Sequence, residues 1–268
     1  MNRVFVSIGP ITIYWYSLLI LIAVLLGYQL AIHYCKKIGY KTSSIVDMVL
    51  GIVIWAIIGA RVYYVIFNFS SYQDNLLEIF MIWKGGLAIY GAVLAAVFYI
   101  YYYCKRHELH FIKVLDIFSL SLLLGQAIGR WGNFFNSEAY GGKTTYEALK
   151  NLRIPEFIIQ GMYIDGYYRH PTFLYESLWC LVGVLILVGI RKKYSNQTGK
   201  QVCFYLIWYG VGRFFIEGLR SDSLYIGSLR VSQLVSIVFV LVGVVGNIII
   251  RRKNKVPYKE IGGENGRI

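Results

Sequence analysis

The chain has 268 residues, of which 57% are hydrophobic and 15% charged, and its mean hydropathy is +0.55. A soluble domain is about 45–50% apolar and about 25% charged, so these values exclude an ordinary soluble protein. The formal net charge of +13 could suggest a nucleic-acid partner. The distribution of the basic residues has a simpler explanation in membrane topology, and no nucleic acid is expected.

The apolar residues fall in seven runs, each close to the about 20 residues that a helix needs to cross a hydrocarbon layer. The fourth run is the weakest, because it contains Asp116, Gln126 and Arg130. The pattern predicts an all-α polytopic membrane protein with seven transmembrane helices. In chain order the predicted spans are 11–33, 45–67, 85–104, 114–131, 172–190, 201–219 and 231–250.

The basic residues between the spans predict the orientation. Alternate connections carry sixteen Lys and Arg residues on one side of the membrane and eight on the other. Basic loops mark the cytoplasmic face, so the N-terminus is expected outside and the C-terminus in the cytoplasm. A membrane location, with the bilayer as a partner, fits this pattern.

The long connection between the fourth and fifth spans, residues 135–171, lies on the outer side in this topology. Loops of this length in compact proteins are usually functional or disordered. A small non-cytoplasmic cap is expected here, with a hairpin or strand pair over residues 157–164. Residues 1–252 are interpreted as the transmembrane domain, and residues 253–268 as a disordered cytoplasmic tail.

Three arginines lie inside the apolar runs, towards the outer ends of their spans: Arg61, Arg130 and Arg213. A charged group at depth costs several kcal/mol unless it faces a partner or a polar cavity. Each arginine alone could instead extend to the headgroups. Three of them, on three helices, favour one polar cavity open to the outer leaflet.

The sixth span carries a polar ladder: Tyr209, Arg213, Glu217 and Arg220 recur at steps of four, four and three residues and share one helical face. Glu217 can pair with both arginines. A purely structural ion-pair ladder is one reading. The other is that Glu217 orients an arginine whose remaining donors bind a phosphate oxygen, a contact to which guanidinium is suited.

A second polar cluster follows the fourth span, where residues 129–141 read G-R-W-G-N-F-F-N-S-E-A-Y-G. It places Arg130, Asn133, Asn136 and Glu138 within nine residues, where a helix ends at the membrane surface. Such a cluster could simply cap the helix. Binding of a polar headgroup is the reading favoured here, and the residues alone lead to an anionic lipid or solute on the outer side.

Residues 129–141 resemble the signature of the prolipoprotein diacylglyceryl transferase family, written here as G-R-x-G-N-F-x-N-x-E-x-x-G. Other segments similar to that family follow in the same order over nearly the whole chain. They are residues 15–16, 59–61, 85–91, 170–176, 209–217 with Arg220, and 232–236.

The resemblance implies transfer of the diacylglyceryl group from phosphatidylglycerol to the cysteine thiol in the lipobox of a prolipoprotein signal peptide. A thioether forms and glycerol phosphate is released, in the first step of lipoprotein maturation at the bacterial cytoplasmic membrane. The family's functional positions match Arg130, Asn133, Glu138, Gly141, Tyr16, Tyr209, Arg213 and Glu217 here. Arg61 and Arg220 are added as substrate-binding candidates because of their place in the apolar runs and in the ladder.

Tyr90 marks a departure from the family pattern, since many members carry a histidine at this place. Histidine is a natural general base, so the thiol proton needs another acceptor. Tyr90, its acidity raised by guanidinium groups, could accept or relay that proton. An interfacial aromatic anchor is the alternative. His170, in the outer connection, is a further histidine for which a surface turn is the simple reading.

The mechanism expected is an alkyl transfer in which Arg130 and Arg213 stabilise the charge that grows on the leaving phosphate. No metal or organic cofactor is expected, because no cluster of His, Cys and carboxylate residues has ligand spacing. The main alternative is an anion or phospholipid transporter, although no inverted repeat is visible. A non-catalytic lipid-binding scaffold is a third possibility.

Overall fold

The computed structural model describes residues 3–9, 11–193 and 197–252. Helices account for most of these residues. They are α1 Trp15–Ile38, α2 Thr42–Phe67, α3 Ile89–Arg106, α4 Phe111–Asn136, α5 Tyr146–Asn151, α6 Glu156–Gly161, α7 Thr172–Lys193, α8 Lys200–Leu219 and α9 Val231–Arg252.

The strands are short and lie in the connections between the long helices. They are β1 Val4–Ile8, β2 Ile11–Tyr14, β3 Lys143–Thr144, β4 Tyr163–Ile164, β5 Tyr167–Arg169, β6 Tyr225–Ile226 and β7 Leu229–Arg230. β1 pairs with β2 and β6 with β7, both antiparallel, while β5 lies between β3 and β4 in a three-stranded sheet. Three 3₁₀ turns, Phe69–Tyr72, Leu76–Phe80 and Ile82–Lys84, connect α2 to α3.

Six of the helices in the described part of the chain are long and apolar enough to cross a membrane: α1, α2, α4, α7, α8 and α9. The chain is therefore an all-α polytopic membrane protein. The third predicted span forms α3, an 18-residue helix with a run of tyrosines and with Lys105 and Arg106 in its last turn. These polar groups keep its hydropathy below that of the other six.

Two compact units divide the described residues. The first takes the chain up to Ala31 and from Leu115 onward, and the second takes Ile32–Val114. Arg130, Arg213 and the ladder of α8 belong to the first unit. Arg61 and Tyr90 belong to the second.

The connection between α4 and α7 folds around its own apolar core. Leu149, Ile158, Ile159 and Met162 are buried and pack with Phe134 at the end of α4 and with Phe173 at the start of α7. The two adjacent helices therefore anchor this segment through their aromatic residues.

The hairpin expected over residues 157–164 is only partly correct. Residues up to Gly161 form α6, and only Tyr163–Ile164 enter the sheet, opposite β5. Asp165 and Gly166 make the turn, with φ of 52° and 79°, as in the two-residue turns that match strand twist. Ile158 and Ile159 are both buried on one side of α6. In a strand, successive side chains point to opposite faces, so these two would be separated.

The first predicted span begins too early. Residues 11–14 form β2 and α1 starts at Trp15, because β-branched residues on both sides of the turn at Gly9 favour a strand pair. The fourth span ends too early, since α4 continues to Asn136. The tail at 253–268 lies outside the described residues.

A buried polar junction joins α4, α7 and α8 at one end. The Asp116 carboxylate accepts hydrogen bonds from the backbone amides of Gly199 and Val202 at the start of α8 (2.6 and 2.8 Å). Arg191 of α7 donates to the carbonyls of Asp116 and Ile117 (3.0 and 2.8 Å). The junction caps α8 and fixes three helices whose opposite ends carry the candidate site.

Candidate functional site

The three arginines within the apolar runs have the same position in their helices. Arg61, Arg130 and Arg213 each lie six residues before the last residue of α2, α4 and α8 respectively. At 1.5 Å per residue this is about 9 Å from the helix end. In the predicted span 114–131 Arg130 is one residue from the end, whereas α4 continues to Asn136.

Glu176 joins two of these arginines. It is the fifth residue of α7 and is 2% exposed. One carboxylate oxygen lies 2.8 Å from Arg130 Nη2, and the other accepts from Arg213 Nη1 at 3.0 Å. A buried charge is tolerated when it is paired and hydrogen-bonded, and here one carboxylate compensates two guanidinium groups from two helices.

The ladder of α8 forms as its spacing predicts. Arg213 Nη2 lies 2.5 Å from Glu217 Oε2, and Arg220 Nε lies 4.0 Å from the same oxygen. Ser232, at the start of α9, accepts a further bond from Arg213 at 3.5 Å. Arg213 is thus held by groups from three helices, which fixes the orientation of its guanidinium plane.

Arg220 makes its main ion pair with Asp222, in the connection that follows α8. Its Nε and Nη2 donate to the two carboxylate oxygens at 3.0 and 2.9 Å. Partial burial by itself would raise the pKa of Asp222, but the Arg220 guanidinium offsets that effect and the pKa lies below its ordinary value. Asp222 therefore remains ionised and holds Arg220 at neutral pH.

The signature segment turns back on itself at the end of α4. The amides of Ser137 and Glu138 donate to the carbonyls of Phe134 and Asn133, with Ser137 at φ 54°, the arrangement of a Schellman cap. Because of this turn, Glu138 Oε1 accepts from Asn133 (2.8 Å) and Asn136 (3.3 Å).

Asn133 connects this turn to the ion pairs. Its side-chain oxygen accepts from Arg130 Nη1 at 3.5 Å, while its amide nitrogen donates to Glu138. A continuous chain of polar contacts thus runs from Glu176 through Arg130 and Asn133 to Glu138.

Gly141 holds the signature segment against the end of α8. It pairs with Arg220 in an isolated β-bridge, and its amide donates to the His170 carbonyl at 2.9 Å. A Cβ here would lie 2.7 Å from His170 Cβ and 3.1 Å from the Leu219 carbonyl oxygen. The close approach of backbone to backbone requires glycine at this position.

Two tyrosines among the candidates lie beside Arg130 and its helix. Tyr209 lies next to the Arg130 guanidinium, and its ring stacks on Tyr205. The Tyr16 ring lies against Gly132 of α4, where a Cβ would come within 2.5 Å of it. Glycine in the signature therefore makes room for Tyr16.

Arg61 has a different environment, inside the second unit. It is 7% exposed and donates to the carbonyls of Ile79 (2.7 Å), Gly85 (2.8 Å), Gly86 (2.9 Å) and Glu78 (2.5 Å). These bonds organise the 3₁₀ turns before α3. Within the described residues, this buried charge is satisfied by backbone carbonyls, whereas Arg130 and Arg213 have carboxylate partners.

Tyr90 is half-buried in the first turn of α3. It follows Gly85 and Gly86, which have φ of 87° and 74°. A Cβ at Gly86 would come within 2.5 Å of Arg61 Nη1. The glycine pair therefore lets Arg61 approach the backbone just ahead of Tyr90.

The charges of the cluster nearly balance. Arg130, Arg213 and Arg220 face Glu176, Glu217 and Asp222. Arg230 adds a fourth cation, because it donates to the backbone carbonyl of Glu217. These seven groups leave one net positive charge, which Glu138, linked to Arg130 through Asn133, offsets.

Glu176 is the functional candidate that the sequence reasoning missed. It was quoted within the segment 170–176, but no role was given to it. A carboxylate inside the apolar run 172–190 is as unfavourable in lipid as the three arginines. Applying the same rule to acidic residues would have found it.

The apolar helices and the largely buried arginine–carboxylate cluster near one end of three of them define a polytopic membrane protein with a polar cluster among its apolar helices. The family model of prolipoprotein diacylglyceryl transferase matches residues 3–249, and the chain belongs to that family.

Relatives named phosphatidylglycerol–prolipoprotein diacylglyceryl transferase occur in several bacteria. The one from Staphylococcus xylosus is 47% identical over 258 residues, which cover 96% of this chain and 92% of that protein. The one from Bacillus cereus strain G9842 is 49% identical over 253 residues, 94% and 93% of the two chains. The one from Halalkalibacterium halodurans is 48% identical over 242 residues, 90% and 83%.

Proposed function

We propose that this chain transfers the diacylglyceryl group of phosphatidylglycerol to the lipobox cysteine of a prolipoprotein signal peptide, the first step of bacterial lipoprotein maturation. The observation that carries the proposal is the shared carboxylate. Glu176 holds Arg130 and Arg213 next to each other in a largely buried site, in a chain whose relatives are named for this reaction.

The reaction requires a site that stabilises a leaving phosphate. The cysteine sulfur bonds to the glyceryl carbon, the bond from that carbon to the phosphate oxygen breaks, and glycerol phosphate leaves with the electron pair. Preorganised donors aimed at charge that grows in the transition state are most effective where water is excluded. Arg130 and Arg213 are 21% and 13% exposed in their side chains and suit this role.

Both guanidinium groups keep donors for the substrate. Described contacts of Arg130 go to Glu176, Asn133 and Tyr209, and those of Arg213 to Glu176, Glu217 and Ser232. A guanidinium carries more N–H groups than these contacts use. Its planar fork can therefore bind phosphate oxygens while remaining oriented by carboxylates.

The other candidates have supporting roles in this proposal. Tyr16, Asn133, Glu138 and Gly141 form or shape the headgroup-binding region, and Tyr209 and Arg220 support the phosphate. Glu217 acts as a positioning residue for Arg213. We retain Arg61 as a candidate substrate contact, through the cavity of about 270 Å³ that it lines with Tyr64, Ser71, Tyr72, Glu78, Gly85 and Gly86.

The thiol must lose its proton, since the ordinary pKa of cysteine is near 8.5 and the thiolate is the nucleophile. We propose that Tyr90 accepts or relays this proton. No organic cofactor or metal is part of the proposed reaction.

The proposed catalytic domain comprises residues 1–252 and spans the membrane seven times, with α3 as the third span. Residues 135–171 then form the outer cap, the N-terminus is outside, and residues 253–268 are a cytoplasmic tail. Basic residues in the last turns of α1, α3 and α7 support this orientation. Single cysteines at Glu147 and Lys193 test it in intact cells. An impermeant maleimide should label only position 147, and labelling of position 193 from outside overturns the orientation.

The activity is tested with purified protein, phosphatidylglycerol and a synthetic lipobox peptide. Mass spectrometry should find a diacylglyceryl adduct on the cysteine sulfur and free glycerol phosphate. A peptide with serine in place of cysteine is the matched control. Binding or movement of the lipid without an adduct would favour the transporter or the scaffold over the enzyme.

A further inference from the structure

The first unit contains a polar cavity beside the signature segment, residues 129–141. It has a volume of about 390 Å³, within the range of small-molecule sites. Residues near the N-terminus and around the end of α4 line the cavity. They are Arg3, Tyr14, Tyr16, Ser17, Asn136, Ser137 and Glu138. Hydroxyl, amide, carboxylate and guanidinium groups therefore face one space.

The cavity is connected to the proposed phosphate site by one side chain. Asn133 accepts from Arg130 and donates to Glu138, and Glu138 lines the cavity. A phosphodiester bound at Arg130 could therefore extend its alcohol substituent along Asn133 towards Glu138. That substituent is the part of the lipid that leaves with the phosphate.

Glu138 is arranged to accept hydrogen bonds from a ligand. Both of its described hydrogen bonds, from Asn133 and Asn136, fall on Oε1. Oε2 therefore remains an acceptor within the described residues. A carboxylate oxygen can bind a hydroxyl group, but it can equally bind an ammonium group.

Arg3 resolves that ambiguity. Its positive charge shares the cavity with Glu138, so it repels a cationic headgroup and leaves neutral hydroxyl groups unaffected. A cavity with the carboxylate alone would attract an amine-bearing lipid such as phosphatidylethanolamine.

Building on the function proposed above, we infer that this cavity holds the headgroup alcohol of the lipid substrate and that Arg3 sets its selectivity for an uncharged polyol over an amine. Arg3 is thus a specificity-determining residue. Glu138 and Tyr16 supply the hydrogen bonds, and Arg3 supplies the discrimination.

The experiment is a competition between two lipids. The protein is given equimolar phosphatidylglycerol and phosphatidylethanolamine with different acyl chains, so that the mass of the peptide adduct reports which lipid was used. The acyl chains are then exchanged between the headgroups to remove chain preference. Arg3→Gln should raise the use of phosphatidylethanolamine relative to phosphatidylglycerol by about fivefold, the scale of one exposed ion-pair interaction. Arg3→Lys, which keeps the charge, should leave the ratio as in the unchanged protein.

Arg153→Gln is the matched control, because it removes one exposed positive charge from the same unit outside the cavity. An unchanged ratio in Arg3→Gln, or an equal rise in Arg153→Gln, overturns the inference. So does a loss of transfer from phosphatidylglycerol without a gain for the amine lipid, since Arg3 would then bind phosphate.

A second measurement covers the case in which Arg3→Gln does not insert. Glycerol phosphate should inhibit the unchanged protein more strongly than phosphoethanolamine does, and equal inhibition overturns the inference. Absence of any adduct with the unchanged protein and phosphatidylglycerol would instead refute the proposed function.

Discussion

Glu176→Gln is the most informative substitution, because it preserves the size of the side chain and removes only its charge. The carboxylate lies 2.8 Å from Arg130 and accepts from Arg213 at 3.0 Å. The glutamine amide offers only one acceptor oxygen to the two guanidinium groups. Its NH₂ group would face an N–H donor of one arginine. Arg213 keeps Glu217 as a partner, so Arg130 should lose more of its orientation.

The magnitude follows from burial. Removing one partner of a buried ion pair costs about 3–5 kcal/mol. The arginine side chains are 21% and 13% exposed, and solvent screening lowers the figure to about 2–3 kcal/mol. If this free energy is lost from stabilisation of the transition state, kcat falls about 10²-fold.

The assay is the mass-spectrometric transfer to a lipobox peptide, measured over a range of phosphatidylglycerol concentrations. We expect kcat to fall more than KM changes, because the arginines act on charge that develops during the reaction. Glu147→Gln, at an exposed site of α5, should behave like the unchanged protein.

Insertion and thermal unfolding in detergent must be measured in parallel, so that a folding defect is recognised. An inserted, normally stable Glu176→Gln protein with kcat within threefold of the unchanged protein would refute the reasoning. The two arginines would then be held in place without their common carboxylate.

Three further substitutions test other parts of the site. Arg130→Lys replaces a planar fork with a point charge, so kcat/KM should fall about 10²-fold, and near-normal activity would contradict bidentate phosphate binding. Tyr90→Phe should lower kcat about 10²-fold if the hydroxyl handles the thiol proton, whereas a change of only a few fold would show that the ring alone matters. Gly141→Ala should lower stability by about 1–3 kcal/mol, seen as a lower Tm, since its Cβ would lie 2.7 Å from His170 Cβ. Gly142→Ala, with nothing within 4 Å of the new methyl group, should leave Tm unchanged, and equal shifts in the two alanine variants would argue against the close approach.

The helical architecture could be predicted because lipid imposes a strong length requirement on apolar runs. The ladder of α8 could also be predicted, because residues at steps of three and four must share a face. Arg213 and Glu217 therefore meet as expected, with 2.5 Å between Nη2 and Oε2. Boundaries were less predictable: the hairpin before α1 and the extension of α4 depend on pairing and capping that hydropathy does not report.

The sequence by itself determined the membrane class, the family resemblance and the presence of charges that require partners. Only the tertiary structure decided which partners they have. Arg130 and Arg213 lie on different helices and meet at Glu176 of a third, whereas Arg61 is satisfied by backbone carbonyls in its own unit. The physical reason is that burial makes a counter-charge or hydrogen-bond acceptor necessary without specifying where along the chain it comes from. Helix packing makes that choice, and in α4, α7 and α8 it brings the ends of three helices to one carboxylate.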